Sequence, residues 1–160
     1  MPEIQALKEN LTGQLTLYRE LTELGEVKKE ALVKNNILEI QAITSREEAL
    51  VLEGTRLEKE RLMYLKEIAK PLGVLPEALT ISELVKHFPE LNGIRNELDD
   101  VLSKLQRIHQ LNTELLKQAV SLVNVTLNML TSPQTKNLYN RPGGKEVQPQ
   151  QKISFLDKSI

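Results

Sequence analysis

The sequence predicts an all-α protein: an antiparallel helical hairpin, a short helix and a long third helix that form a coiled-coil-like bundle, followed by a flexible tail. Three observations predict it. Apolar residues make up 40% of the chain and aromatic residues only 3%, which is typical of long amphipathic helices. Proline, which costs a helix interior about 3 kcal/mol, is missing from residues 3–70 and 90–132. Apolar side chains recur every three or four residues in both stretches.

The first proline-free stretch divides into two helices, expected over about residues 3–34 and 36–70. Asn35-Asn36 interrupts the apolar pattern between them. Because Asn serves both as a left-handed C-cap and as an N-cap, this pair can end one helix and begin the next. The side chains expected to face the core are Ile4, Leu7, Leu11, Leu15, Tyr18, Leu21, Leu24, Val27 and Ala31, then Ile37, Ile40, Ile43, Leu50, Leu57, Leu62, Leu65 and Ile68.

Two segments have the spacing of a capping box, in which a Ser or Thr side chain and a Glu three residues later satisfy the first amides of a helix. Thr44-Ser45-Arg46-Glu47 allows a kink or a restart inside the second helix. Thr80-Ile81-Ser82-Glu83 opens a short helix, expected over about residues 80–88, which Pro89 ends.

The last helix, expected over about residues 90–131, carries the strongest periodicity in the sequence. Ten of the twelve a and d positions of six heptads are apolar, which predicts a coiled-coil-like helix of roughly 60 Å. Asn112 and Thr126 are the two exceptions. Each either fixes the register of the helix or marks a part of the stripe that is not fully buried. Beyond residue 110 the apolar face broadens, and beyond 131 the chain becomes polar, so residues 132–160 are expected to form the flexible tail.

Composition excludes several classes of function. The net charge is −1 with interleaved signs, which lacks the basic patch of a nucleic-acid binder. The absence of cysteine removes thiolate catalysis and cysteine zinc sites. His87 and His109 lack the Glu-x-x-His spacing of di-metal bundles, and no Ser/His/Asp set or phosphate loop is found. We therefore expect no catalytic residues, metal or cofactor. Without a signal sequence or a membrane-spanning run, the expected location is the cytoplasm.

Several segments, taken in order, resemble the FlgN family of flagellar export chaperones over about residues 3–145. The charged end of the first helix, a segment within the second helix and the short helix before the last one are similar to the family pattern. Asn35-Asn36 replaces its Gly/Asp-type turn. The segments are Gly25–Lys34, Thr44–Leu50, Thr80–Leu84, Asn112–Leu116, Leu127–Leu130 and the element Tyr139-Asn140-Arg141-Pro142-Gly143.

This resemblance implies a chaperone that binds hook-associated proteins, the proteins of the hook–filament junction, by their helical terminal segments and delivers them to the type III export gate. It also implies that Tyr139 contacts the cytoplasmic domain of the gate. A groove for an amphipathic helix must be apolar, which makes the broadened face of the last helix the candidate client site. Its residues are Leu111, Leu115, Leu116, Ala119, Leu122, Val123, Val125, Thr126, Met129 and Leu130.

Other interpretations of the same residues remain open at this stage. The broadened face can equally be core that packs against the first two helices, and Tyr139 can simply pin the tail to the bundle. The free protein can be a monomer or a homodimer. The alternative function is a dimeric coiled-coil adaptor unrelated to secretion, in which residues 91–129 pair with a second copy.

Overall fold

A computed structural model describes residues 1–131 as helices and the turns between them, which confirms the all-α fold. Each helix begins and ends within two residues of the range expected above. The predicted tail, residues 132–160, lies outside the described residues, so the division into bundle and tail stays a prediction. The helices are α1 (Pro2–Val33), α2 (Ile37–Leu72), α3 (Ile81–His87) and α4 (Asn92–Leu130), with short 3₁₀ turns at Pro76–Ala78 and Pro89–Leu91.

α1 and α2 form the antiparallel hairpin. Near the start of α1, Asn10 Nδ2 donates a hydrogen bond of 2.9 Å to the Leu57 carbonyl in the second half of α2. Near the end of α1, Lys28 pairs with Glu47 in the first half of α2 at 2.8 Å. The order of these contacts reverses between the two helices, which makes the pair antiparallel.

α4 packs on α1 and runs in the same direction. Arg19 pairs with Glu97 near the start of α4 at 2.5 Å. Further along both helices, Asn112 Nδ2 donates a hydrogen bond of 2.8 Å to the Gly25 carbonyl. α2 and α4 make little contact with each other, so α1 is the central helix of the bundle.

The central position of α1 explains where the predicted core was too narrow. Leu17 and Leu32 lie off the predicted stripe, yet both are buried, because α1 has a helix on two sides. Three side chains predicted to face the core were placed wrongly: Val27, Ile37 and Leu62 are exposed. A single stripe of apolar residues therefore underestimates the buried surface of a helix that packs against two neighbours.

Each helix of the hairpin ends at a residue in the left-handed backbone conformation. Asn35, at φ 53°, ends α1, and the amide of Asn36 donates to the Ala31 carbonyl at 2.9 Å. Asn36 then caps α2, because its side chain accepts the Glu39 amide. Gly73, at φ 64°, ends α2 with the same hydrogen-bond pattern. The expectation that Asn35-Asn36 ends one helix and begins the next is confirmed.

The two capping-box segments behave differently. α2 is a single helix with no restart at Thr44, whose hydroxyl donates to the Ile40 carbonyl one turn back. A threonine inside a helix satisfies its hydroxyl in this way, so the spacing alone does not open a new helix. Thr80 does cap α3, because its side chain accepts the Glu83 amide at 3.2 Å.

A close approach of α1 and α4 occurs at Gly25. A Cβ atom at this position would lie 2.9 Å from Cγ2 and 3.1 Å from Cγ1 of Ile108, which is too close for ordinary packing. At Gly54, by contrast, a Cβ atom would meet Leu17 at 3.7 Å, an ordinary van der Waals distance. Glycine is therefore sterically required at position 25 but not at position 54.

Tyr18 lies buried between α1 and α2. Burial of the phenol is the main cause that raises its pKa from 10.0 to about 12, and the negative charge of Glu58 raises it further, while Arg61 opposes the shift. Glu58 and Arg61 themselves form an ion pair at 2.7 Å and are both largely shielded from solvent. The folded protein therefore holds Tyr18 in its neutral form well above pH 10.

We expect Gly25→Ala and Gly54→Ala to change stability in opposite directions. Alanine gains up to about 1 kcal/mol of helix propensity at either position. At position 25 the clash with Ile108 outweighs that gain, because overpacking a core typically costs about 1–3 kcal/mol. Urea denaturation should show Gly25→Ala less stable than the wild type and Gly54→Ala equally or more stable. Equal stability of the two variants would contradict the close approach.

Tyr18 should also make stability fall at alkaline pH. Below pH 10 the phenol is protonated in both states and has no effect on the pH dependence. Between pH 10 and 12 the unfolded chain ionises while the folded protein does not, so the free energy of unfolding decreases. Comparing pH 9 with pH 11, the wild type should lose on the order of 1 kcal/mol more than Tyr18→Phe. The same loss in both proteins would show that the phenol is not held neutral.

Candidate functional site: the projecting end of α4

α4 continues beyond the end of the bundle. From Asn112, which contacts Gly25, it extends about 27 Å to Leu130, whereas α1 extends only about 12 Å from Gly25 to Val33, at 1.5 Å per residue. Because both helices run in the same direction, α4 projects roughly 15 Å past the turn of the α1–α2 hairpin. The α4 extension comprises residues 113–130, that is, this projection and the two helical turns that lead to it.

The heptad stripe of α4 changes from buried to exposed along its length. All seven a and d positions from Leu91 to Asn112 are buried. The next two, Leu115 and Ala119, are half-buried, and Leu122, Thr126 and Met129 are exposed. The pattern in the sequence thus continues for about ten residues after the helix that covers it has ended.

Asn112 is the last buried residue of α4 and the point at which the stripe leaves the bundle. Its amide nitrogen is bonded to the Gly25 carbonyl, whereas its buried Oδ1 accepts no hydrogen bond within residues 1–131. A shift of α4 along α1 would leave the amide nitrogen buried without its partner as well, at a cost of about 1–3 kcal/mol. Asn112 therefore helps to fix the register. Thr126 instead marks a part of the stripe that is not buried, because it is exposed and its hydroxyl donates to the Leu122 carbonyl of its own helix.

The candidate client residues lie together on the α4 extension, except for Leu111, which lies in the helical turn of α4 just before it. Most of them are strongly exposed, from 44% for Leu111 to 79% for Leu130, so the alternative that this face is bundle core does not hold for them. Leu115 and Ala119 are half-buried at the base. The sequence analysis missed Val120 and Leu127, which are also exposed and lie on the same broad face. The structure does not show what binds there, so their role as a client site stays a prediction.

The α4 extension is almost free of charge. Glu114 and Lys117 form an ion pair at 3.6 Å in its first turn. Residues 118–131 contain no Asp, Glu, Lys, Arg or His. Its other polar side chains, such as Ser121, Asn124 and Asn128, lie on the side opposite the apolar face. This end of the protein therefore offers a partner apolar contact rather than charge.

Further apolar side chains are exposed at the hairpin turn, next to the base of the projection. Val33, Ile37 and Leu38 are each at least 66% exposed. Sequence reasoning missed this group because Ile37 continued an apolar pattern and was assigned to the core.

Neither a metal-binding cluster nor a membrane-spanning helix is found in the described part of the chain. Among residues 1–131, no group of three His, Asp or Glu side chains could hold a metal ion. No helix within this range is long and apolar enough to cross a membrane. Tyr139, the candidate contact for the export gate, lies outside the described residues.

Comparison with known proteins identifies the family. Residues 1–146 match the FlgN protein family, which covers the bundle, the α4 extension and the Tyr139 element. The chain belongs to the FlgN family. The protein is therefore a chaperone of flagellum biogenesis and protein export, and the alternative of an adaptor unrelated to secretion does not hold.

One curated relative matches along the whole length. It is the "Uncharacterized protein YvyG" of Bacillus subtilis (strain 168), which is 25% identical over 158 residues, or 96% of each chain. No solved structure is significantly similar to this chain.

Proposed function

We propose that this FlgN family member is a cytoplasmic chaperone that binds hook-associated proteins of the flagellum and delivers them to the type III export apparatus. It holds the helical terminal segment of its client on the apolar face of the α4 extension. The observation that supports this proposal is a heptad stripe that continues, exposed, for about 15 Å beyond the end of the bundle.

The client helix takes the place that α1 occupies lower in the bundle. Between Leu91 and Asn112 the stripe of α4 is covered by α1. Beyond Ala119 the same stripe is exposed and needs another helix to bury it. An amphipathic segment with apolar residues at i, i+3, i+4 and i+7 has the matching shape. Leu115 and Ala119, which are half-buried, form the base of the contact.

The chemistry of the face determines what kind of segment it selects. With no charged side chain in residues 118–131, recognition depends on burying apolar surface. Such binding has a negative heat-capacity change and little dependence on salt, because few charges are screened. A client segment with alternating apolar and polar helix faces fits this site better than an acidic or a basic one.

Delivery to the export apparatus requires a second contact, which we assign to Tyr139. A tyrosine in a polar segment has an apolar ring and a hydroxyl that suit a protein interface. It follows α4 by nine residues, so the gate contact and the client site lie close together along the chain. One protein can then hold its client and touch the gate at the same time.

We expect Leu122→Asp combined with Met129→Asp to abolish client binding. Titration calorimetry of the wild type with terminal segments of hook-associated proteins should give submicromolar affinity and a negative heat-capacity change. Both side chains are more than 60% exposed, so the double variant should keep its fold. Two carboxylates on the apolar face would have to be desolvated on binding, which removes the gain.

The matched control for this experiment is Ser121→Asp combined with Asn128→Asp. It adds the same two charges with the same spacing, one residue earlier in the helix and outside the apolar face. The control should bind like the wild type. Equal loss in both double variants would refute the apolar face as the client site. No binding by the wild type, together with a stable homodimer in solution, would refute client binding and favour self-association of the stripe.

Tyr139→Ala should weaken binding to the cytoplasmic domain of the export gate and leave client binding unchanged. The reason is that the ring contributes contact area to the gate but none to the face of α4. The thermal unfolding midpoint serves as the internal control and should not move. A large decrease of the midpoint would instead indicate that Tyr139 pins the tail to the bundle.

A further inference from the structure

The end of the sequence contains a short apolar segment that the functions described so far do not use. Residues 132–152 are mainly polar and include Pro133, Pro142 and Pro149, whereas residues 153–160, Ile-Ser-Phe-Leu-Asp-Lys-Ser-Ile, are half apolar. Ile153, Leu156 and Ile160 have the i, i+3, i+7 spacing with which a segment binds in an apolar groove as a helix. This is the same pattern that the α4 extension would recognise in a client.

The α4 extension is a surface that needs an occupant. Its apolar side chains occupy more than half of the helix circumference, counting about 100° per residue. They continue beyond Lys117, the last charged residue of α4. Contiguous apolar patches of this kind rarely stay uncovered on a soluble protein and mark interaction sites. In the absence of a client, the two candidate occupants are a second copy of the chain and the apolar segment of the same chain.

The length of the connection favours the segment of the same chain. About 20 residues separate the end of α4 from Ile153, and a flexible linker of this length has a root-mean-square span of about 25 Å. The α4 extension is itself about 27 Å long, so the segment can reach any part of it. A tether of this kind gives an effective concentration in the millimolar range, and a second copy at micromolar concentration competes poorly with it.

We propose that residues 153–160 dock on the apolar face of the α4 extension and occupy the client site while no client is bound. The segment is short and too weakly apolar to hold the site permanently, so a longer client helix displaces it. The apolar segment lies after residue 146, where the match to the FlgN family ends.

Disulfide trapping tests the docking without any client, and the absence of native cysteine makes the result unambiguous. Ser154→Cys in the full-length chain is combined with one cysteine on the apolar face or one on the adjacent polar side of the helix. Three heptad-spaced pairs make the test independent of the exact register. The apolar positions are Leu116→Cys, Val123→Cys and Leu130→Cys, and their controls are Lys117→Cys, Asn124→Cys and Thr131→Cys.

We expect an intramolecular disulfide to form several-fold faster with at least one apolar position than with its neighbouring control. The two members of each pair are nearly the same distance from residue 154 along the chain, so a tail that samples space at random would give equal rates. Adding Leu156→Asp should reduce the faster rate to that of the control. Equal rates in all three pairs, or a disulfide-linked dimer as the main product, would overturn the proposal.

The competition with a client rests on the proposed function and is measured separately. Leu156→Asp in the otherwise native chain should bind the terminal segment of a hook-associated protein several-fold more tightly than the wild type, because no docked segment must be displaced. Gln151→Asp adds the same charge outside the apolar segment and should leave the affinity unchanged. Unchanged affinity of Leu156→Asp would overturn the competition. Trapping without any client binding would instead refute the proposed function and leave the docking intact.

Discussion

The contact of Gly25 with Ile108 and Asn112 sets how α4 lies against α1. The missing side chain of Gly25 allows α4 to approach α1, and the Gly25 carbonyl binds the amide of Asn112. Because this contact fixes the register of the two helices, it also fixes how much of α4 lies beyond the end of α1. The uncovered length of the stripe, and with it the candidate site, follows from a packing contact more than ten residues away from its exposed end.

The positions of the helices could be predicted from the sequence, but which helices pack against each other could not. Proline positions, the Asn35-Asn36 pair and the heptads of α4 locate the helices to within two residues, since each signal lies within or beside the helix that it predicts. The central role of α1 could not be predicted in this way. Leu17 is buried because a second helix lies beside it, and the periodicity of one helix carries no information on how many helices surround it.

For the candidate site, the sequence predicts the apolar face but not whether that face is buried or exposed. The residues from Leu111 to Leu130 were identified from a broad apolar face, but such a face is typical of both a buried helix and a binding surface. The parallel arrangement of α1 and α4 and the shorter length of α1 distinguish the two for Leu122 and Met129, which are exposed. Tertiary geometry, rather than any motif, thus separates the stabilising half of the stripe from the half that is available to a partner.

The uncharged character of residues 118–131 has a consequence for the speed of partner exchange. Long-range electrostatic attraction accelerates the encounter of many protein pairs, and a surface without charge forgoes it. Association is then expected in the unsteered range, about 10⁵–10⁶ M⁻¹s⁻¹, and similar for different apolar segments. Differences between partners must therefore arise in how long each complex lasts, so that selectivity at this end of α4 is a matter of residence time.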